Sequence, residues 1–193
     1  MARERLRMIG LLSAMLLIGY GCKNQAFGPS TSGQNQVASE MAMHKDPGMM
    51  MMNPMQRNYT AHLSGRNEVP TAVNTNATGE AIFHINKDGK SISYKLITSN
   101  IDNLLMAHIH IGTPNVNGPI TVWLYPESGP PPHLISGRFD GVLATGTITA
   151  KDLMGPLQGD VLDSLITRIK NGDAYVQVHT VQHKTGEIRG QIK

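Results

Sequence analysis

Short stretches that alternate aliphatic and polar residues constrain the fold of this chain more than any other feature of its sequence. In the stretch AHIHIG at 107–112, two isoleucines alternate with His108 and His110. Successive side chains of a strand point to opposite faces, so one face can enter a core while the other presents two imidazoles about 7 Å apart. The stretch therefore predicts a half-buried β-strand with a histidine pair on its polar face.

Two stretches near the C-terminus repeat the pattern. In AYVQVHT at 174–180, the valines face one side, and the tyrosine, glutamine and histidine face the other. In GEIRGQI at 186–192, glutamate, arginine and glutamine share one face. If the three strands are neighbours, their polar groups converge. The convergent set would be His108, His110, His179, Glu187 and Arg189.

The remainder of the C-terminal two thirds also has the pattern of short strands. One short helix is predicted, because apolar residues recur at helical spacing from Val161 to Ile169, with Asp160 as its N-cap and Gly172 as its terminator. Many short strands separated by Gly and Pro predict an all-β fold, an antiparallel β-sandwich with one short helix. The further predicted strands are 59–64, 80–85, 91–97, 105–111, 119–125 and 141–149, with a proline-rich loop at 126–133.

Several motifs in this region resemble the CHRD (chordin-type) domain, in the order in which that family has them. They are LSG at 63–65, EVP at 68–70, TG at 78–79, AHIHIG at 107–112, NGP at 117–119, YVQVHT at 175–180 and GEIRGQ at 186–191. The resemblance covers about Tyr59 to Ile192. It implies a superoxide-dismutase-like or immunoglobulin-like Greek-key sandwich in an extracytoplasmic compartment. The family includes an extracellular inhibitor of growth factors, and its microbial members mostly lack an assigned activity, so the resemblance favours a binding module with an extracellular protein partner.

The N-terminal 21 residues have the layout of a secretory signal peptide. Three arginines precede the uncharged stretch Met8–Gly21, and the only cysteine of the chain, Cys22, follows it. This resembles a bacterial lipobox, although Gly19 stands where leucine is usual. We expect Cys22 to be lipid-modified, which would anchor the protein to a membrane of the bacterial cell envelope and remove a free extracytoplasmic thiol. The alternative is an ordinary secretory signal followed by an incidental cysteine.

Residues 22–57 have the composition of a flexible, Met-rich tether that precedes a domain at 58–193. The tether is rich in polar residues, Gly and Pro, and has no sustained apolar period. Seven of the 15 residues from Met41 to Met55 are methionine. Thioether sulfur is a soft ligand that favours Cu(I), so the run predicts a copper-binding segment; low-complexity drift is the alternative. The candidate ligands are Met41, Met43, His44, Met49, Met50, Met51, Met52 and Met55.

The histidine face supports two interpretations. The first is a copper or zinc site with His108, His110 and His179 as ligands, since imidazoles suit both metals. Glu187 would accept a hydrogen bond that orients one of the rings, and Arg189 would lie next to the ligands without contacting the ion. Copper–zinc superoxide dismutase also uses a His-x-His strand and a later histidine, but this chain has neither its His-rich zinc loop nor its cysteine pair. The second interpretation is a hydrogen-bonded polar network without a metal.

Other functions find little support in the sequence. We recognise no nucleophile elbow, phosphate-binding loop or zinc-protease helix, and the chain is therefore expected not to be an enzyme of these classes. The formal net charge is only +3, without a basic cluster interleaved with aromatic residues, which argues against a nucleic-acid partner. Two function classes remain: a lipid-anchored interaction module and a metal-handling envelope protein, with dismutase-like chemistry as an extension of the second.

Overall fold

The computed structural model describes residues 56–193, in which β-strands dominate. All strand pairs are antiparallel. Short 3-10 helices lie at Gly65–Asn67, Ala150–Asp152 and Gly155–Leu157. The main elements, in chain order, are β1 (Asn58–Ser64), β2 (Thr78–Ile85), β3 (Ile92–Ile111), β4 (Ile120–Tyr125), β5 (Ile135–Ile148), α1 (Leu162–Lys170), β6 (Ala174–Thr180) and β7 (Ile188–Gln191).

The strands close on themselves. Pairing runs from β2 through β1, β7 and β6 to β3, and β3 pairs again with β2, so five strands form a closed barrel. The two remaining strands, β4 and β5, each pair with β3. The predicted class, all-β and antiparallel with one short helix, is confirmed. The strands nevertheless form one continuous sheet and not two clearly separate layers.

Strand β3 is the reason for this closure. The sequence predicts two separate strands, at 91–97 and 105–111, whereas the structure has one strand of 20 residues. Its first half pairs with β2 and β5, and its second half pairs with β4 and β6. Between the halves, Asn100 and Asn103 have φ angles of 57° and 53°, a left-handed conformation that asparagine tolerates well. These two residues bend the strand, and it therefore joins both sets of partners.

The core fills the inside of the barrel with the aliphatic faces of the strands. Leu96, Ile109 and Val176 are fully buried, as the alternation predicts. Helix α1 adds Leu165 and Ile169 to the same core, and its burial confirms the predicted helix. Within the described residues, no helix has the length and apolar character needed to cross a membrane.

Two predicted boundaries are wrong. Helix α1 has Val161 as its N-cap with no side-chain cap bond, so Asp160 does not cap it. Strand β5 begins at Ile135, six positions before the predicted start at Gly141. The early start depends on pairing with the bent second part of β3, where Phe139 lies opposite Ile101. A strand that forms because of such a distant partner need not have alternating aliphatic and polar residues, so the sequence did not predict its first residues.

Candidate metal centre

The polar face of β3 and β6 carries the predicted histidines. In the register of these strands, His108 lies opposite Gln177 and His110 lies opposite Tyr175, while Ile109 between them enters the core. Directly opposite residues of an antiparallel pair share one face. His179 lies on that same face, further along β6. The fold thus brings together three residues that are up to 71 positions apart in the chain.

The three imidazoles are close enough to share one ion. One ring nitrogen from each residue lies within 4.8 Å of those of the other two. The closest pair, His108 Nδ1 and His179 Nε2, is 3.2 Å apart. Two nitrogens at the usual zinc distance of about 2.0–2.1 Å, in tetrahedral geometry, are about 3.3 Å apart. The spacing of this pair matches that of two ligands on one metal, and it is also the length of a hydrogen bond between the two rings.

Backbone carbonyls hold two of the rings in the orientation that a metal ligand needs. His110 donates from Nδ1 to the Gly118 carbonyl at 2.9 Å, and His179 donates from Nδ1 to the Lys184 carbonyl at 3.0 Å. These bonds place the proton on Nδ1 of both rings, so the Nε2 of His110 keeps a free lone pair, while the Nε2 of His179 accepts a hydrogen bond from His108 Nδ1. Metal-ligating histidines usually make such a bond with their second nitrogen.

Gly118 can make this contact because it has no side chain. A Cβ at this position would overlap the backbone carbonyl of Ile111. The loop between β3 and β4 can therefore lie close against the end of β3, and the Gly118 carbonyl reaches the ring of His110. The NGP motif at 117–119 thus has a local physical role at the histidine site.

Some of the buried ring nitrogens have no hydrogen-bond partner. Among the described residues, Nε2 of His108 and Nε2 of His110 are both buried without a hydrogen-bond partner. An unpaired polar atom in a protein interior typically costs about 1–3 kcal/mol. Such a cost is removed when a ligand binds the atom, so the unpaired Nε2 of His110 marks a place where an ion fits.

The environment also keeps the three rings neutral. The side chains of His108, His110 and His179 are 0%, 6% and 5% exposed. Burial, followed by the charges of the other two histidines, lowers the pKa of His108 to about 3. Burial, followed by the charge of His110, lowers the pKa of His179 to about 4. Burial also lowers the pKa of His110, against the opposing effect of its bond to Gly118. Neutral imidazole is the form that binds metal.

Glu187 has a different role from the one predicted. Its two carboxylate oxygens accept hydrogen bonds from the hydroxyls of Thr75 and Thr180, each at 2.7 Å. The carboxylate therefore ties the loop before β2 to the end of β6. The rings of His110 and His179 are oriented by backbone carbonyls and not by Glu187.

Arg189 acts on the site through a stack of side chains. Its guanidinium carbon lies 3.5 Å from the centre of the Tyr175 ring. Tyr175 in turn stacks on His110, with ring centres 4.9 Å apart and an interplanar angle of 10°. The guanidinium also donates to Asn117 Oδ1 and to the carbonyls of Thr113 and Val116, all in the loop that covers His110. Arg189 therefore holds this loop against the histidine face.

Sequence reasoning missed the contact of Trp123 with the site. Its ring centre lies 4.1 Å from that of His108, and its indole nitrogen is buried without a partner. The alternation of β4 could have placed this residue on a polar face, but the pairing of Trp123 with His108 is a tertiary fact. The sequence could not have identified the carbonyls of Gly118 and Lys184 as partners of the rings, because every residue has a backbone carbonyl.

Other histidines lie apart from this centre, and two predicted sites are not covered by the structure. His62 and His84 lie at exposed positions and pair with Glu80 and Asn58, so neither is part of the three-histidine centre. The predicted lipidation site, Cys22, and the predicted copper run, Met41–Met55, lie outside the residues that the structure describes.

Comparisons with known proteins give one match. A family model described as the CHRD domain matches residues 59–192. Neither the search of curated proteins nor the search of solved structures found a match.

Proposed function

The chain belongs to the CHRD domain family, as its sequence motifs suggest, and on this basis we propose that it is an envelope-anchored module that binds copper or zinc through His108, His110 and His179. The observation that carries the proposal is the convergence of three ring nitrogens within 4.8 Å. The fixed protons on Nδ1 of His110 and His179 support it further. The unpaired Nε2 atoms of His108 and His110 are available to a ligand, which is a further support for the proposal.

The proposed role is to hold a metal and not to turn over a substrate. The three rings are nearly inaccessible, because the loops before β4 and after β6 cover them. A dismutase needs its substrate to reach the ion, so this burial favours binding over dismutase-like chemistry.

The location is part of the proposal. The uncharged leader that ends at Cys22 supports a lipid anchor at the surface of the bacterial cell envelope, with residues 22–57 as the tether. Such a placement would keep the metal site outside the cytoplasm and near the membrane.

The test uses the single tryptophan of the chain as a local probe. Trp123 lies against His108, so an ion bound by the histidines changes its fluorescence. We expect the full chain in detergent to retain copper or zinc after dialysis, at one ion for this site, with a change in Trp123 emission. The variants are His110→Gln and His179→Gln, with His84→Gln as the matched exposed control.

The two site variants should lose both the retained ion and the fluorescence change, and the control should keep both. Thermal melting of each variant shows whether it is folded. An unchanged fluorescence response in folded His110→Gln and His179→Gln proteins, or no response in the wild type, would refute the metal function.

Family membership favours a second candidate function, the binding of an extracellular protein. A groove of about 510 Å³ lies beside the histidine face, and its lining includes Arg66, Arg189 and Lys193. These cations suit an acidic segment of a partner. A photo-crosslinker introduced at exposed position Arg66, or at its neighbour Asn67, should capture a protein in intact cells. When the crosslinker is at Asn67, the additional substitution Arg66→Glu should abolish the capture. Equal capture from a crosslinker at Lys90, on the hairpin between β2 and β3, would contradict a specific partner.

A further inference from the structure

The donor set of the histidine centre restricts the ion that it can hold. Its three ligands are neutral imidazoles, and no carboxylate or thiolate joins the cluster among the residues that the structure describes. A bound ion would therefore keep its full charge in the interior. The inference that follows rests on the proposed metal function and specifies the ion and a further ligand.

Burial favours an ion of low charge at this position. The cost of moving an ion from water into a protein interior grows with the square of its charge, so a divalent ion costs about four times as much as a monovalent one. Arg189 already places a positive charge beside the site, because its buried guanidinium stacks on Tyr175, which stacks on His110. The buried Glu68 offsets this charge only in part, because burial raises its pKa to about 7.

A soft donor lies beside the cluster. Met106 is the direct partner of His179 in the register of β3 and β6, and it precedes His108 by two positions on the same face of β3. Directly opposite residues have Cβ atoms about 4.5–5.5 Å apart, within reach of a methionine sulfur. Met106 is half-buried, as a residue at the margin of a covered site would be.

We propose that the centre binds monovalent copper, with Met106 as a thioether ligand beside the three imidazoles. Thioether sulfur selects Cu(I), and imidazole accepts it readily, whereas zinc in proteins is held by imidazole, thiolate and carboxylate. The site thereby distinguishes the two metals that its histidines alone would accept. Its ligands are residues of the described domain and are different from the methionines of the run at 41–55.

The experiment is a competition titration of the full chain in detergent, under argon with ascorbate, followed by Trp123 fluorescence. Cu(I) is buffered by a chromogenic chelator, and Zn(II) is added in excess. The methionines of the tether are replaced by leucine in every protein compared, and Trp123, the only tryptophan of the chain, contacts His108. The test variant is Met106→Leu, which nearly conserves volume. The matched control is Met154→Leu, a half-buried methionine between β5 and α1 that is outside the three-histidine cluster and whose backbone N–H donates to the Thr121 carbonyl of β4.

We expect the wild type to keep Cu(I) against excess Zn(II). Met106→Leu should lower Cu(I) affinity by about tenfold or more, since even indirect partners of a metal site contribute about 10–100-fold. Its Zn(II) affinity should stay within about twofold of that of the wild type, and Met154→Leu should match the wild type for both ions.

Two results would overturn the inference: stronger binding of Zn(II) by the wild type, or equal Cu(I) affinity in Met106→Leu and the wild type. Either result leaves the three-histidine metal site intact, because both ions would still change Trp123 emission. Absence of any response to either ion in the wild type would instead reject the metal function together with this inference.

Discussion

Acid should weaken the metal-free domain through its buried histidines. In the unfolded chain a histidine has a pKa of about 6.5. The pKa values of His108 and His179 in the folded protein are about 3 and about 4. Between the pKa of the folded state and that of the unfolded state, the unfolded chain binds more protons than the folded protein. The contribution of His108 and His179 to stability is therefore present above pH 6.5 and is lost as the pH falls below it. His110 acts in the same direction.

The size of the effect follows from the pKa values of His108 and His179. Each group costs about 1.4 kcal/mol per pH unit once the pH is well below 6.5, which amounts to about 2 kcal/mol per histidine between pH 7 and pH 5. Together, His108 and His179 should lower the free energy of unfolding by about 4 kcal/mol over this interval.

Glu68 opposes this loss. Burial raises its pKa to about 7, so the folded state binds more protons than the unfolded state between about pH 4.5 and pH 7. Its contribution to stability is greatest below about pH 4.5 and is lost as the pH rises to about 7. Acidification from pH 7 to pH 5 therefore restores about 2 kcal/mol, which offsets about half of the loss from His108 and His179. A Glu68→Gln variant removes the compensation and should show the full loss of about 4 kcal/mol.

Urea unfolding of metal-free protein at pH 7 and pH 5, followed by Trp123 fluorescence, measures these differences. The matched control is His84→Gln, which removes an exposed histidine outside the cluster and should behave as the wild type does. The reasoning would be refuted if the wild type and Glu68→Gln lost equal stability on acidification, or if folded His108→Gln protein were as acid-sensitive as the wild type.

Three further predictions concern other parts of the chain. Mass spectrometry of membrane-extracted protein should find a diacylglyceryl group on Cys22 at the mature N-terminus, and Cys22→Ser should abolish it; a mature protein that begins elsewhere would contradict the lipid anchor. A peptide covering Met41–Met55 should prefer Cu(I) to Zn(II) in a chelator competition, and equal Cu(I) binding after replacement of its methionines by leucine would exclude a sulfur site. Gly118→Ala should displace the carbonyl that orients His110 and reduce metal affinity by about 10–100-fold, as measured by Trp123 titration; an unchanged affinity would show that this bond does not matter.

The local pattern of the sequence was sufficient for the fold class and for the histidine face. The alternation around Ile109 and around Val176 correctly predicted which side chains enter the core, because a strand has a period of two residues whatever its partners are. The helical spacing of Leu165 and Ile169 likewise predicted α1. The CHRD motifs, which are local in sequence, predicted the family.

The same reasoning failed where a residue's role depends on a distant partner. Glu187 has the residue type and the strand position of a ring-orienting acceptor, yet the hydroxyls of Thr75 and Thr180 occupy its oxygens. Asp160 has the residue type of a helix cap, yet the helix begins two residues later. Neither difference is visible in a window of neighbouring residues.

The sequence by itself determined the faces of the strands and the types of donor that they carry, since these follow from composition and from the geometry of an extended chain. Only the tertiary structure decided that β3 bends at Asn100 and Asn103 and closes the barrel. It also decided that His179 Nε2 lies 3.2 Å from His108 Nδ1. The carbonyls of Gly118 and Lys184 that accept hydrogen bonds from His110 and His179 were likewise placed by the tertiary structure. The physical reason is that strand pairing joins residues far apart in the chain, and the free energy that selects one register comes from the burial of all the aliphatic faces together.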